Sequence, residues 1–373
     1  MGLFKFFKKF FGVSEPPINK TKQSDITIVP SEMEPSASTQ KPEKKPFHKK
    51  GQSKPIKQSW QMHGNKITRE TDIVIGFDFG TACTKVIIQD GVLKKAYAVP
   101  FDGVACVGNR YLLPTVVSVT RDGNISLEQN GELIKALKIK FLKKPDESFA
   151  LRNGVALTPA EATSAYIGLV LQKIREWFWI EKLYDYKGVK VNWQLNIGMA
   201  SRSYDDIALK NQMQRVALAG WNLTLNTVKK INVREVKLAM ENAKHQLSEN
   251  IFDEEAQQLH PGIVCPVPEI IAHVVGYARS PMRQDGMYLI IDVGASTIDV
   301  SNFILHKKDG EDLYTILVAE VEMLGASILH RHRIACAEKV IKKYMGVADA
   351  EIFMQKARKT IGLRGLLGTP IKL

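Results

Sequence analysis

The chain has 373 residues, room for two core-bearing lobes and a tail, with an ordinary 45% hydrophobic and 24% charged content. The net charge is +13, but residues 1–70 hold 14 Lys/Arg and 6 Asp/Glu, so +8 of it belongs to the tail. That asymmetry argues against a nucleic-acid footprint spread over the whole protein. No run of apolar residues reaches the length of a membrane span, and lysines interrupt the N-terminal apolar stretch, which excludes a secretory signal. The four cysteines, Cys83, Cys106, Cys265 and Cys336, form neither a CxxC pair nor a zinc spacing. They read as reduced thiols of a cytoplasmic protein.

Residues 2–13 (GLFKFFKKFFGV) have a helical period. Leu3, Phe4, Phe6, Phe7, Phe10 and Phe11 cover one half of the wheel, and Lys5, Lys8 and Lys9 the other. This pattern predicts a helix lying in the plane of an anionic membrane, rings in the acyl boundary and lysines at the headgroups. The alternative is a helix docked on protein. Gly2 does not open a myristoylation motif, because position 6 is Phe. Residues 14–70, punctuated by seven prolines, read as a disordered linker with a basic run at 41–57.

The globular part is expected to start near Thr71. Thr71–Asp90 (TDIVIGFDFGTACTKVIIQD) reads as strand, tight turn, strand. Tyr288–Leu305 (YLIIDVGASTIDVSNFIL) repeats the plan: a strand delivers Asp, then Gly, then hydroxyl residues, then another strand. Two such turns facing each other would clamp a polyphosphate, with backbone N–H groups as an anion nest and the two Asp holding a hydrated Mg²⁺. Between them, strands are expected over Lys94–Val104 and Tyr111–Thr120, and a basic, mixed or helical stretch over Ser126–Lys144. Thr158 and Pro159 start a helix through Trp179. Lys190–Met199 alternates as a strand, and a helix from Tyr204 is expected to stop at Gly220. Glu235–Gln257 reads as a helix stopped by Pro261-Gly262. Cys265–Tyr277 has a Pro-Glu entry into an apolar helix. A strand over Ile316–Met323, a helix over Ile328–Tyr344 and a basic helix over Ala348–Gly362 follow.

These motifs, in this order, resemble the actin-like ATPase superfamily of actin, sugar kinases and DnaK-type chaperones. IGFDFGTACTK is similar to its first phosphate motif, PVPEIIAHVVGY to its connecting helix and IIDVGASTIDVS to its second phosphate motif. NRYLLPTVVSV and LNIGMASRSYDDIALKNQMQRVALAG are similar to DnaK-type segments. Pro268-Glu269 before an apolar helix also resembles plasmid-segregating actins. The resemblance covers about residues 71–345.

The resemblance implies an α/β fold of two lobes, 71–262 and 263–373, the first complete and the second incomplete if the chain is a fragment. It implies ATP/ADP and Mg²⁺ as ligands. Asp78 would hold the Mg²⁺ shell through water, and Asp292 would be the second metal-side carboxylate. Gly80, Thr81, Ala82 and Thr84, with Lys85 nearby, would wrap the β/γ-phosphates. Gly294, Ala295, Ser296 and Thr297 would form the second loop, and Glu269 would orient the attacking water.

The chain departs from the family in three places. Ala295 and Ser296 stand where the chaperones have glycines, their Gly-Gly after the second motif is Leu324-Gly325, and their catalytic lysine has no clear counterpart. No adenosine-binding Gly-rich motif is seen. The implied function is an ATP-binding, slowly hydrolysing switch acting on a protein partner at the cytoplasmic membrane face. The alternatives are an actin-like filament or scaffold protein and a pseudo-ATPase adaptor.

Overall fold

A computed structural model describes residues 59–61, 67–106, 108–200, 206–225, 231–308, 311–345, 349 and 351–353. The Phe/Lys helix at 2–13 and the linker up to residue 58 lie outside the described residues.

The described chain is a mixed α/β structure with several sheets. It begins with an antiparallel meander: β1 (Arg69–Asp78), β2 (Cys83–Asp90) and β3 (Lys95–Ala98). Ile73, Ile75 and Phe77 alternate into the core from β1, as Val86 and Ile88 do from β2, the period of two that a half-buried strand requires. Short strands follow: β4 (Leu113–Pro114) against β2, then β5 (Val117–Val119), β6 (Asn124–Ser126) and β7 (Glu132–Ile134). Next come α1 (Leu137–Lys143), the ribbon β8 (Phe149–Ala150) with β9 (Ala156–Leu157), α2 (Pro159–Glu181) and α3 (Leu183–Tyr186). β10 (Val189–Met199) then returns parallel to β1.

After α4 (Ile207–Leu223), β11 (Ile231–Asn232) and α5 (Val233–Glu249), β12 (Val264–Pro268) pairs parallel to β10. The main sheet therefore runs β12-β10-β1-β2-β3, with its first three strands parallel. α6 (Glu269–Ala278) continues directly from β12. A second antiparallel meander follows, β13 (Gly286–Val293), β14 (Ile298–Lys308) and β15 (Glu311–Glu322), and then α7 (Ala326–Met345). The hydrophobic interior is split accordingly. A large cluster fills the main sheet and α2, α4 and α5, and a small one joins Ile270, Val274 and Ala278 of α6 to Phe303 and Leu305 of β14. No helix among the described residues is long and apolar enough to cross a membrane.

Both expected hairpins are present, and Thr158 caps α2 in a capping box with Glu161. Several boundaries differ from the sequence expectation. The strand expected over Lys94–Val104 spans four residues before the chain turns away. The stretch at Cys265 is a strand, with Pro266 and Pro268 in β12 at the sheet's edge, where missing N–H groups are tolerated. The helix expected over Glu235–Gln257 is capped by Asn232 and ends at Glu249, because Asn250 takes the left-handed conformation (φ 51°). Only residues 349 and 351–353 of the last basic helix are described, and they are helical.

Gly220 does not stop α4, which continues to Leu223. A Cβ on Gly220 would lie 2.7 Å from Ile167 Cγ2, and one on Gly168 would lie 3.0 Å from the Gly220 carbonyl oxygen. The glycine is therefore the contact point of two crossing helices.

The fold also begins earlier than the expected boundary at Thr71. Trp60, in a stretch read as linker, is fully buried. Its ring stacks on Trp221 at 4.0 Å and meets Trp193 edge-on at 4.9 Å.

Candidate functional site

Parallel strands of an open α/β sheet present ligands at their carboxyl ends. Here β1 ends on Asp78, β10 ends at Gly198-Met199, and β12 runs straight into Glu269. Gly198 lies beside Glu269: a Cβ there would make ordinary contact, 3.5 Å from Glu269 Cγ and Oε1 and 3.6 Å from the Phe77 carbonyl oxygen. Glu269 thus lies over the strand ends, at the first turn of α6. Lys138, the second residue of α1, donates its ammonium to Glu269 Oε1, and the two side chains are only 10% and 17% exposed.

The first turn, Asp78 to Cys83, is tight. The Gly80 N–H donates to the Asp78 carbonyl at 3.1 Å. A Cβ on Gly80 would stand 2.3 Å from the Cys83 carbonyl oxygen, so only glycine fits. Thr115 ties the turn down, its hydroxyl donating to the Gly80 carbonyl at 2.7 Å and its N–H to the Ala82 carbonyl at 2.9 Å. Gly80, Thr81 and Ala82 are partly exposed on the turn. Thr84, grouped with them on sequence, is fully buried beneath it and shares a hydrogen bond with Thr115 at 3.2 Å. Lys85, on the return strand, reaches Asp78 Oδ2 at 3.0 Å. Asp78 chiefly, with a further contribution from Asp292, raises the Lys85 ammonium above its ordinary range against the opposing effect of burial.

The second turn holds Asp292 at the end of β13, directly across the ladder from Asp299 of β14. Gly294, Ala295, Ser296 and Thr297 link the two strands, all partly exposed. Thr297 donates its hydroxyl to Asp299 Oδ2 at 3.0 Å. Burial raises the Asp299 carboxyl, and Asp292 adds to it, while the Thr297 hydrogen bond and the charges of Lys138 and His273 oppose it. Gly325 underlies this loop. Its N–H donates to the Ser296 carbonyl at 3.1 Å, and a Cβ on it would collide with the Ser296 backbone at 2.4 Å. Ala326, the first residue of α7, donates its N–H to the Gly294 carbonyl at 3.0 Å.

The two turns and the connecting helix act on one another. Lys85 of the first hairpin senses Asp292 of the second, and Asp299 senses Lys138. A small cavity between α6 and the β13–β14 ladder is lined by Glu269, His273, Asp292 and Asp299, with Ile270, Ile290 and Ser301. Although these four line one cavity, no group of three or more His, Cys, Asp or Glu side chains among the described residues is placed to hold a metal ion directly. Separated carboxylates of this kind fit a Mg²⁺ ion that keeps most of its waters and shares a polyphosphate. Two glycine-bearing turns with nearby lysines fit the polyphosphate itself.

Three members of this arrangement escaped the sequence reading. Lys138 meets Glu269 only through the fold. Gly198 comes beside Glu269 only through the order of the strands. Asp299 stood in the second motif, but only the strand register sets it opposite Asp292. No protein-family model matches the chain, and no curated protein shows significant sequence similarity to it.

Proposed function

We propose that the protein is an actin-like, ATP-binding and slowly hydrolysing conformational switch. The observation that carries this reading is the pair of similar hairpins: Asp292 and Asp299 of the second line a cavity with Glu269, the partner of Lys138, and Asp292 also helps raise Lys85 of the first. The sheet order supports it: a β1-β2-β3 meander extended by parallel β10 and β12 is followed, after α6, by a second meander and a helix. An internal repeat of this kind suits two lobes closing on one ligand.

In this reading, Asp78 and Asp292 would hold a hydrated Mg²⁺, and the ion would supply charge neutralisation at the phosphates. Glu269 orients the attacking water, and Lys138 holds Glu269 in place and adds positive charge near the transferred phosphoryl group. Gly80, Thr81, Ala82, Gly294, Ala295, Ser296 and Thr297 offer backbone N–H groups and hydroxyls to the phosphates. Lys85 exchanges its contact with Asp78 for phosphate oxygens. The positions taken by Ala295 and Ser296 leave less room for phosphate than glycine would, which suits slow turnover. Closure of the lobes around nucleotide would change a surface read by a protein partner. The Phe/Lys segment at 2–13 would hold the switch on an anionic membrane surface.

Calorimetric titration of the full chain with Mg-ATP and with ADP tests the site. Saturable binding lost in both Asp78→Ala and Asp292→Ala is expected, and a folded wild type that binds neither nucleotide overturns the reading in favour of an adaptor without turnover. Flotation with anionic liposomes tests the anchor, with Phe6, Phe7 and Phe10 changed to Ser as the releasing variant. One observation favours the second reading, a filament or scaffold protein. β13 is an edge strand among the described residues and exposes Met287, Leu289, Ile291 and Val293 on one face, a surface suited to strand or face pairing. Nucleotide-dependent sedimentation that rises with protein concentration would select it.

A further inference from the structure

The turn between β1 and β2 carries a second chemistry that the nucleotide reading does not use. Cys83, the first residue of β2, has its sulfur 3.3 Å from that of Cys106. All four cysteines are free thiols, and this is the pair in contact among the described residues. Cys106 sits at the base of an excursion between β3 and β4. Backbone bonds hold that excursion in shape: Phe101 N–H to the Arg110 carbonyl at 2.7 Å, Cys106 N–H to the Leu112 carbonyl at 2.7 Å, and Asn109 N–H to the Cys106 carbonyl at 3.1 Å. The other side of the contact is equally fixed, because β4 pairs with β2 at Cys83 and Thr115 clasps the turn. Bringing the sulfurs to a disulfide's about 2.05 Å needs a closing movement of about 1.3 Å. Both side chains are half-buried, open enough for a small oxidant.

We propose that Cys83 and Cys106 are a redox pair that forms a reversible disulfide with hydrogen peroxide as oxidant, and that this bond alters ligand binding at the Gly80 turn. The second half rests on the nucleotide reading. The Cys83 carbonyl oxygen occupies the space where a Gly80 side chain would be, so any displacement of Cys83 is transmitted to the turn.

Burial first, and then Cys106, push the Cys83 thiol up to about 12. That shift disfavours the Cys83 thiolate, and the attack is therefore assigned to the Cys106 sulfur. The Cys106 thiolate attacks one peroxide oxygen and breaks the O–O bond. This gives Cys106 sulfenic acid, and the leaving oxygen departs as water after protonation. The Cys83 sulfur then attacks the sulfenic sulfur, the S–S bond forms, and a second water leaves with the Cys83 proton. Two thiols are oxidised, one peroxide is reduced to two waters, and a dithiol reductant reverses the step.

The test treats the reduced full chain with a small excess of hydrogen peroxide, followed by alkylation and peptide mapping without reductant. The expected result is loss of two of the four thiols as a Cys83–Cys106 linked peptide, restored by dithiothreitol. Cys106→Ala and Cys83→Ser should each abolish the link. Cys83 and Cys106 both remaining fully alkylatable while exposed Cys336 oxidises would overturn the proposal. Calorimetric titration of reduced and oxidised protein with Mg-ATP then separates the halves. A shift in affinity of about five- to a hundredfold supports regulation. Equal affinity in the two forms overturns regulation and leaves the redox pair. A linked peptide with no binding in either form sinks the nucleotide reading and the regulatory half with it, and again leaves the redox pair standing.

Discussion

Lys138 and Glu269 lie 131 residues apart in the chain and share an ion pair at the carboxyl ends of the parallel strands. Each anchors a different element, α1 and α6, and neither is more than a fifth exposed. Breaking a buried pair by removing one partner leaves the other charge without compensation and costs about 3–5 kcal/mol. Lys138→Met and Glu269→Gln should each fall in that range by urea denaturation. The double variant should lose clearly less than the sum, because it buries no lone charge. Additive losses would mean that the two groups act independently. If the proposed chemistry holds, either single change should also remove ATP turnover while Mg-ATP binding persists.

Trp60 makes a second prediction, at a place far from the site. Its indole N–H donates to Thr224 Oγ1 at 2.6 Å, its carbonyl accepts from Trp193 Nε1 at 2.9 Å, and its ring stacks on Trp221. The Arg175 guanidinium lies over the same ring at 5.6 Å, and burial pushes it down to about 10. Trp60→Ala should cost about 3–5 kcal/mol, the range for a buried aromatic, although the residue belongs to no helix or strand. A loss below 1 kcal/mol in a denaturant melt would show that residues 59–61 are dispensable to the fold.

What could be read from the sequence, and what could not, follows the range of each interaction. Ile73, Ile75 and Phe77 alternate within one strand, and Asp78-Phe79-Gly80 turns within three residues, so both hairpins announce themselves locally. The same holds for Thr158 with Glu161. Lys138 lies in a basic stretch where nothing marks one lysine above its neighbours, and its partner is chosen by the sheet. Trp60 sits alone among polar residues, with no periodic neighbours to mark it as core. Asn250 ended a helix that the downstream Pro261-Gly262 was expected to end, because a left-handed Asn is a weaker sequence signal than Gly or Pro. Thr84 carries the same hydroxyl as Thr81, and only the inward phase of β2 separates a buried support from an exposed turn residue.

Gly220 tests the helix crossing. Replacing a mid-helix glycine by alanine ordinarily gains about 1 kcal/mol of helix propensity. At Gly220 the new methyl meets Ile167 Cγ2 at 2.7 Å and the Gly168 backbone nitrogen at 3.2 Å. Overpacking of this kind costs about 1–3 kcal/mol, so Gly220→Ala should be net destabilising. Gly276, inside α6, has nothing within 4 Å of an added Cβ, and Gly276→Ala should stabilise by about 0.5–1 kcal/mol. Paired thermal melts check both signs, and two stabilising substitutions would mean that α2 and α4 do not cross at Gly168 and Gly220.

Asp299 gives the protein an acid-side signature. Its carboxyl is raised above 3.8 in the folded chain, by burial first. The folded state therefore binds a proton that the unfolded state releases, and stability falls as pH rises from 3.8 through the folded value. Above that value the full penalty is present, and below 3.8 it is absent. Asp299→Asn keeps an oxygen to accept from Thr297 while removing the charge. It should raise the Tm at neutral pH, and the gain should shrink as the pH is lowered toward 3.8. Thermal melts of both proteins across that range check the sign. A lower Tm for the variant at pH 7 would mean that Lys138 and Thr297 together outweigh burial, and that Asp299 belongs to the attractive part of the charge cluster.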